Sequence, residues 1–218
     1  VDVREAVAIQ MRLRARLRFP KRRIAVRRVA AADLSFDPGS DRVVAGVVVV
    51  SWPGLETVEE RWREDLAAFP YVPGLLSFRE IPTLVPLFES LREAPDLVLC
   101  DGQGIAHPRR FGLASHLGLL LSTPTIGCAK SLLVGAHREP RAAGGARARL
   151  VVDGETRGAA LRTRAGVRPV IVSPGHLVST DEAVRWTLAL SPRFRVPEPI
   201  RRAHALVNRR RRDILSGR

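Results

Sequence analysis

Three carboxylates stand where an acid is costly to place. Asp33 lies in AADLSFD, inside an otherwise apolar strand-like stretch; Asp101 ends the wholly apolar LVLC run; Glu80 closes PYVPGLLSFRE (70–80). An acid ending a buried strand loses hydration unless it is paired or bound to a metal. Carboxylates of this kind suit Mg²⁺, which prefers hard oxygen donors to His or Cys, and they could serve metal-assisted hydrolysis of a phosphodiester. Each acid alone is more often a surface or capping group than a ligand, so only their convergence in the fold can separate the two readings.

Lys130 directly follows the apolar TIGCA segment, in a chain whose only other lysine is Lys21. A compact point charge beside a phosphate explains it, and chance explains it as well. Other chemistries lack their signatures. There is no Cys-x-x-Cys, no His-x-x-x-His and no Gly-x-Ser-x-Gly, and the five histidines are scattered. Gly102-x-Gly104 is followed by His107-Pro108-Arg109-Arg110 instead of a third glycine. A glycine loop leading into two arginines at a helix start suits a nucleic-acid phosphate better than a dinucleotide.

The elements that must hold these groups are legible in outline. The 218 residues are 45% hydrophobic and 27% charged, enough for one domain with a real core and too few for two ordinary ones. Collagen-like, disordered and disulfide-scaffold classes are excluded. No apolar run is long enough to span a membrane, and the basic N-terminus has no signal-peptide core. Cys100 and Cys128 read as buried thiols in a reducing cytoplasm. Lys and Arg number 36 against 22 acids, a net charge of +14, which draws polyanions and nucleic acid above all.

Helical spacing of Ala6, Ile9, Leu13 and Leu17 predicts a basic amphipathic helix over 4–18. Strands at 24–36, 43–52 and 56–63, separated by turns at Asp37–Asp41 and Pro53-Gly54, form an antiparallel meander. A helix over 82–93 starting at Pro82, a strand at 97–100, a helix from Arg109 to about Leu121 with Leu113, Leu117, Leu120 and Leu121 on one stripe, and a strand at 125–129 follow. An Arg/Ala/Gly-rich loop (136–149) leads to strands near 149–153, 158–162 and 169–173. Ser179 and Glu182 form a capping box for a helix to about Leu190; after Pro192, Pro197 and Pro199 a basic helix carries Arg209–Arg212. The expected fold is α/β, a mixed sheet with the meander first and β-α-β units after it, flanked by helices.

PYVPGLLSFRE (70–80), DLVLCDGQGIAHPRRFGLASHLGLLLSTPTIGCAK (96–130), the Pro-Gly-His of 174–176 and PEPIRRAH (197–204) occur in one order, and through them residues 25–205 closely resemble the endonuclease V (deoxyinosine 3′-endonuclease) family. The resemblance implies a ribonuclease H-like fold. It also implies Mg²⁺ or Mn²⁺ held by Asp33, Glu80 and Asp101, with Lys130 on the phosphate, His204 near the metal and His107 beside the glycine loop. In the same way it implies a wedge formed by Pro70, Tyr71, Val72 and Pro73, with Gly74, Leu76, Gly102 and Gly112 building the base pocket.

The implied reaction is hydrolysis of the second phosphodiester bond 3′ to hypoxanthine in DNA, leaving 3′-hydroxyl and 5′-phosphate ends. A DNA-bound, cytoplasmic monomer with no obligate protein partner is expected. An inosine-specific endoribonuclease acting on single-stranded RNA, a lesion-blind nuclease and a non-catalytic nucleic-acid binder are the alternatives. Gln103, at a position often held by His or Asn, and the basic 136–149 loop depart from the family pattern.

Overall fold

A computed structural model describes residues 1–37 and 40–216. Eight strands form one sheet: β1 (Arg28–Phe36), β2 (Arg42–Ser51), β3 (Thr57–Leu66), β4 (Leu97–Cys100), β5 (Thr125–Ala129), β6 (Arg147–Val152), β7 (Glu155–Leu161) and β8 (Val170–His176). Their spatial order is β3-β2-β1-β4-β5-β8-β7-β6. The meander β1-β2-β3 is antiparallel, β1, β4 and β5 run parallel, and β8, β7 and β6 return antiparallel. This is the ribonuclease H-like mixed sheet. Pro38 and Gly39, the centre of the expected Asp37–Asp41 turn, lie outside the described residues.

Helices cover both faces. The chain begins with α1 (Val3–Leu13) and a single 3-10 turn at Arg14–Arg16; α2 (Leu76–Glu89), α3 (Leu113–Leu121), α4 (Thr180–Ala189) and α5 (Glu198–Leu215) follow in order. Strand alternation separates two cores. Ala30, Ala32, Val98 and Cys100 pack with Ile81 and Leu84 of α2 and Leu113 and Leu117 of α3. Val29, Ala31, Leu97 and Leu99 pack with Trp186 of α4 and Ile200, Ala203 and Leu206 of α5. That two-residue period makes β1 and β4 legible as strands buried on both faces.

Several boundaries differ from expectation. The first helix ends at Leu13, so Leu17 lies beyond it, and β1 starts at Arg28 instead of residue 24. The second helix begins at Leu76, six residues before Pro82, and carries Pro82 and Pro86 inside it. Proline in a helix normally forfeits a hydrogen bond and strains the preceding turn. Burial of Ser77, Ile81, Leu84, Leu87 and Phe88 on one side outweighs that local preference. The third helix starts at Leu113, leaving Arg109 and Arg110 in the preceding loop, with Arg110 at φ 57°. On that helix Leu120 is half exposed, so the apolar stripe is narrower than its spacing implied. Ser179 caps α4 by accepting from the Glu182 amide, but the Glu182 carboxylate turns to Ile24 N and Arg185. Pro199 lies within the first turn of α5 and does not break it. Cys100 and Cys128 are buried free thiols, and burial pushes both above the usual thiol range.

Candidate functional site

The parallel register places two acids side by side. Ala32 pairs with Cys100, so the next residues, Asp33 on β1 and Asp101 just past β4, meet at the carboxyl edge of the central strands. Lys130 lies immediately past the neighbouring β5, and its Nζ donates to Asp101 Oδ2 at 2.5 Å. Arg195 fixes the backbone behind it, donating to the Lys130 carbonyl at 2.7 Å and the Pro169 carbonyl at 2.9 Å.

Asp33 alternates with Val29 and Ala31 toward α5, and His204 of that helix meets it. His204 Nδ1 lies 2.7 Å from Asp33 Oδ2, and Asn208 Nδ2 lies 3.0 Å from His204 Nε2. Asn208 Nδ2 is the donor in this arrangement, since it also donates to the His204 carbonyl. Nε2 therefore accepts, and Nδ1–H donates to the carboxylate. Close approach of α5 depends on Gly46, the β2 partner of Asp33: a Cβ there would sit 2.8 Å from Val207 Cγ1.

Glu80 arrives from α2, on the opposite face. Loss of hydration, and then the charges of Asp33 and Asp101, push its carboxyl up to about 8, with Arg79 opposing. Desolvation also raises Asp33; the His204 hydrogen bond opposes the shift and Asp101 adds to it. The three acids named from the sequence thus share one electrostatic neighbourhood. Their oxygens are not gathered, however: among the described residues no three His, Cys, Asp or Glu side chains converge closely enough to hold a metal ion. Asp33 and Asp101 instead face His204 and Lys130.

A pocket of about 370 Å³ opens beside these acids. Tyr71, Val72, Pro73, Gly74 and Leu76 form one wall; Gly102, His107 and Gly112 form another; and Asp101 and Lys130 join the pocket to the carboxylate site. Of the wedge and pocket residues named from the sequence, only Pro70 is outside this lining; it is exposed, just ahead of the lip. Tyr71 is 69% exposed at the lip. Beneath it the loop is pinned by buried Phe69 and Leu75, which pack with Ala6 of α1 and with Val72 and Phe78. The result is an exposed aromatic on a rigid base.

Gly112 is required by space: a Cβ would lie 2.3 Å from the Gln103 carbonyl oxygen and 2.8 Å from that of Gly104. Gly102 has no such restriction, since its added Cβ would meet only Leu113 at ordinary distance. His107 is buried, and its Nε2 lies 3.0 Å from the Gly74 carbonyl while its Nδ1 accepts from Arg109 N at 3.2 Å. Burial, and then the Arg109 charge, lower it to about 4. It is therefore a neutral Nε2–H donor, a wall of the pocket and not an acid.

Ser77, Asn208 and the Ser131–Leu133 segment carry no signal in the sequence and Gln10 only a faint one, whereas Arg109, expected at a helix start facing a phosphate, turns instead to the Gly74 carbonyl and Gln10. Gln10, Ser77 and Ser131–Leu133 line the pocket. Arg109 braces it through Gly74, and Asn208 orients His204. Gln103, set aside as a departure, also lines the pocket and donates to the Ser131 carbonyl at 3.2 Å.

The family model described as Endonuclease V matches residues 7–205. An Endonuclease V of Myxococcus xanthus is 51% identical over 209 residues, covering 95% of this chain and 89% of its own. The crystal structure of the Endonuclease V from Streptomyces avermitilis superposes with a TM-score of 0.94 at 44% identity, covering 99% of this chain and 95% of that one. That of Ciona intestinalis Endonuclease V, in complex with a 24mer DNA containing an inosine followed by a ribo-adenosine, matches with a TM-score of 0.87 at 27% identity, covering 97% and 98%. The chain belongs to the Endonuclease V family and is a nuclease.

Proposed function

We propose that this nuclease extrudes hypoxanthine from DNA into the 370 Å³ pocket and hydrolyses the second phosphodiester bond on the 3′ side, leaving 3′-hydroxyl and 5′-phosphate ends. The observation that carries the proposal is continuity: one cavity is lined by the Tyr71 lip, by Gly102 and by Asp101 and Lys130, so a base held there leaves its strand beside the acids. The Ciona relative's inosine-containing DNA supports the same reading. One chain supplies every residue named, so a monomer suffices.

Hypoxanthine presents a 6-oxo acceptor and an N1–H donor, the reverse of adenine at both positions. Leu76 and Ser77 open α2, which has no side-chain cap, and both line the pocket, so their amides have no helical acceptor and can donate to a 6-oxo group. Extrusion costs a few kcal/mol, less for a mismatched base. Tyr71 is placed to fill the vacated step. Tyr71→Ala is expected to weaken binding to deoxyinosine DNA by about tenfold, the worth of one lost base–aromatic stack. Affinity for the same duplex carrying adenine changes little, and competition between the two duplexes measures the difference.

Asp33, Asp101 and Glu80 fit a divalent cation in donor type and charge. They are three hard oxygen donors; burial first, and then their neighbouring charges, raise Glu80 and Asp33, so a counter-charge among them would be favoured. Mg²⁺, with Mn²⁺ as substitute, would supply an activated water and neutralise charge on the phosphate when bound. His204, held by Asp33 and Asn208, orients Asp33 and can hold a proton at Nε2 once Asn208 moves aside. Lys130 brings its ammonium to the phosphate while remaining tied to Asp101.

The test is an end-labelled duplex with one central deoxyinosine, incubated with Mg²⁺, Mn²⁺ or chelator beside an adenine control. A single cation-dependent cut one nucleotide 3′ of the inosine is expected; equal cutting of the adenine duplex would overturn the proposal. The ribo-adenosine after inosine in the Ciona complex favours a second reading, cleavage of inosine RNA. Inosine in single-stranded RNA, assayed in parallel, decides it: faster cutting of RNA than of DNA selects that reading.

A further inference from the structure

Gln10 is 1% exposed and, with Ala6, is one of the two buried residues of α1. Its carboxamide is fully engaged. Nε2 donates to the Gly74 carbonyl and to the Phe111 carbonyl, both at 3.0 Å, and Oε1 accepts from Arg109 Nε. Gly74 lines the pocket just after the Tyr71 wedge, and Phe111 lies behind the facing wall, directly before the space-restricted, pocket-lining Gly112. The Gly74 carbonyl also receives Arg109 Nη2 at 2.7 Å and lies 3.0 Å from His107 Nε2. Gly74 sits at φ 77°, where a side chain is strained, and an added Cβ would lie 2.7 Å from Arg109 Nη2. The peptide between wedge and α2 is thus held from three directions, and one amide from the N-terminal helix ties it to the facing wall.

An apolar side chain would fill this buried site without the cost of burying an amide. The amide adds a fixed distance between two backbone segments. Hydrogen-bond readers of a base discriminate only if their spacing is set before the base arrives.

We propose that Gln10 is a positioning residue for base recognition, setting the separation of the Gly74 wall from the Phe111–Gly112 backbone opposite it, and so the selectivity of the pocket for hypoxanthine over adenine. This rests on reading the cavity as the base pocket. Its loss falls on binding of the damaged base, while undamaged DNA, held through phosphates, is unaffected. The step at the carboxylates is also spared once substrate is saturating.

The experiment compares wild type, Gln10→Met, Gln10→Glu and Gly74→Ala. Fluorescence anisotropy in chelator gives Kd for deoxyinosine and adenine duplexes, and single-turnover rates are taken at saturating protein with Mg²⁺. Gln10→Met keeps length and apolar volume but loses all three hydrogen bonds; Gln10→Glu keeps the acceptor for Arg109 but loses both donors. Both are expected to lower the inosine-to-adenine Kd ratio by about tenfold or more, with the saturated rate within about twofold. Gly74→Ala disturbs the same carbonyl from the other side, so the double variant with Gln10→Met loses no more than the worse single.

Unchanged discrimination in folded Gln10→Met or Gln10→Glu overturns the proposal, as does a parallel loss of affinity for both duplexes or additive loss in the double variant. If Gln10→Met does not fold, the Gln10→Glu and Gly74→Ala results carry the test. Absence of any inosine preference in wild type counts instead against the base-pocket reading.

Discussion

Asp101→Asn is expected to lower single-turnover cleavage of a deoxyinosine duplex by at least about 1,000-fold, or roughly 4 kcal/mol of barrier. Binding of the same duplex stays within about threefold, or tightens slightly as a negative charge leaves the phosphate path. Asparagine preserves the shape of Asp101, and its amide oxygen can still accept from Lys130, so the edge past β4 keeps its form. What disappears is the charge. Asp101 is the acid common to the carboxylate neighbourhood and the pocket wall, and its charge contributes to raising both Glu80 and Asp33. Removing it weakens the demand for a cation and leaves Lys130 without its counter-charge. A thermal melt with and without Mg²⁺ gives a second readout: wild type gains stability by mass action on the folded state, and Asp101→Asn gains little. Cleavage at the wild-type rate would sink the metal assignment of all three acids.

The sequence revealed the parts of the site that lie on strands and concealed the parts that depend on distant neighbours. Asp101 is conspicuous because a wholly apolar strand ends on it, and Asp33 because an acid interrupts an otherwise apolar run; both cues are local. Glu80 was noticed in a dense PYVPGLLSFRE segment, but its helix was not, because Pro82 reads as a helix start and the burial that overrides it comes from the sheet. Arg109 and Arg110 looked like a helix opening, yet Gly112 must lie against the Gln103 and Gly104 carbonyls and delays the helix to Leu113.

Gln10 left only a faint trace, an uncharged polar side chain four residues after Ala6 on the buried side of an arginine-rich helix. Its acceptors lie 64 and 101 residues away, beyond any periodicity argument. Asn208 is likewise explained only by the orientation of His204. The close seat of α5 was written into Gly46, a glycine within AGVVVV, where an isolated strand glycine signals backbone approach without naming the visitor.

Stability of the cation-free protein is expected to peak near pH 6 to 7 and to fall on both sides for opposite reasons. His107 and His116 are buried and held neutral, each lowered from 6.5 to about 4 chiefly by loss of hydration. His116 packs at a tilt between the Phe78 and Phe111 rings, with Nδ1 3.1 Å from Ser77 Oγ. Below pH 6.5 the unfolded chain takes up these protons first, so their contribution is complete above 6.5 and is lost progressively toward pH 4. Each histidine accounts for about 3 kcal/mol over that interval, a large share of a typical domain's stability.

Glu80 acts in the other direction. Its folded value of about 8 against 4.5 unfolded means that the native state gains its proton first as pH falls, so the fold weakens as pH rises from 4.5 through 8. A divalent cation bound beside Glu80 is expected to take the place of that proton and flatten the alkaline limb, leaving the acid limb untouched. Urea midpoints in chelator and in Mg²⁺, taken at intervals from about pH 4 to pH 8.5, measure both limbs. His116→Gln, outside the proposed catalytic groups, is expected to remove about half of the acid loss carried by the histidine pair. An unchanged acid limb in that variant would show that the buried imidazoles do not set it, and an alkaline limb indifferent to Mg²⁺ would count against a cation among Asp33, Glu80 and Asp101.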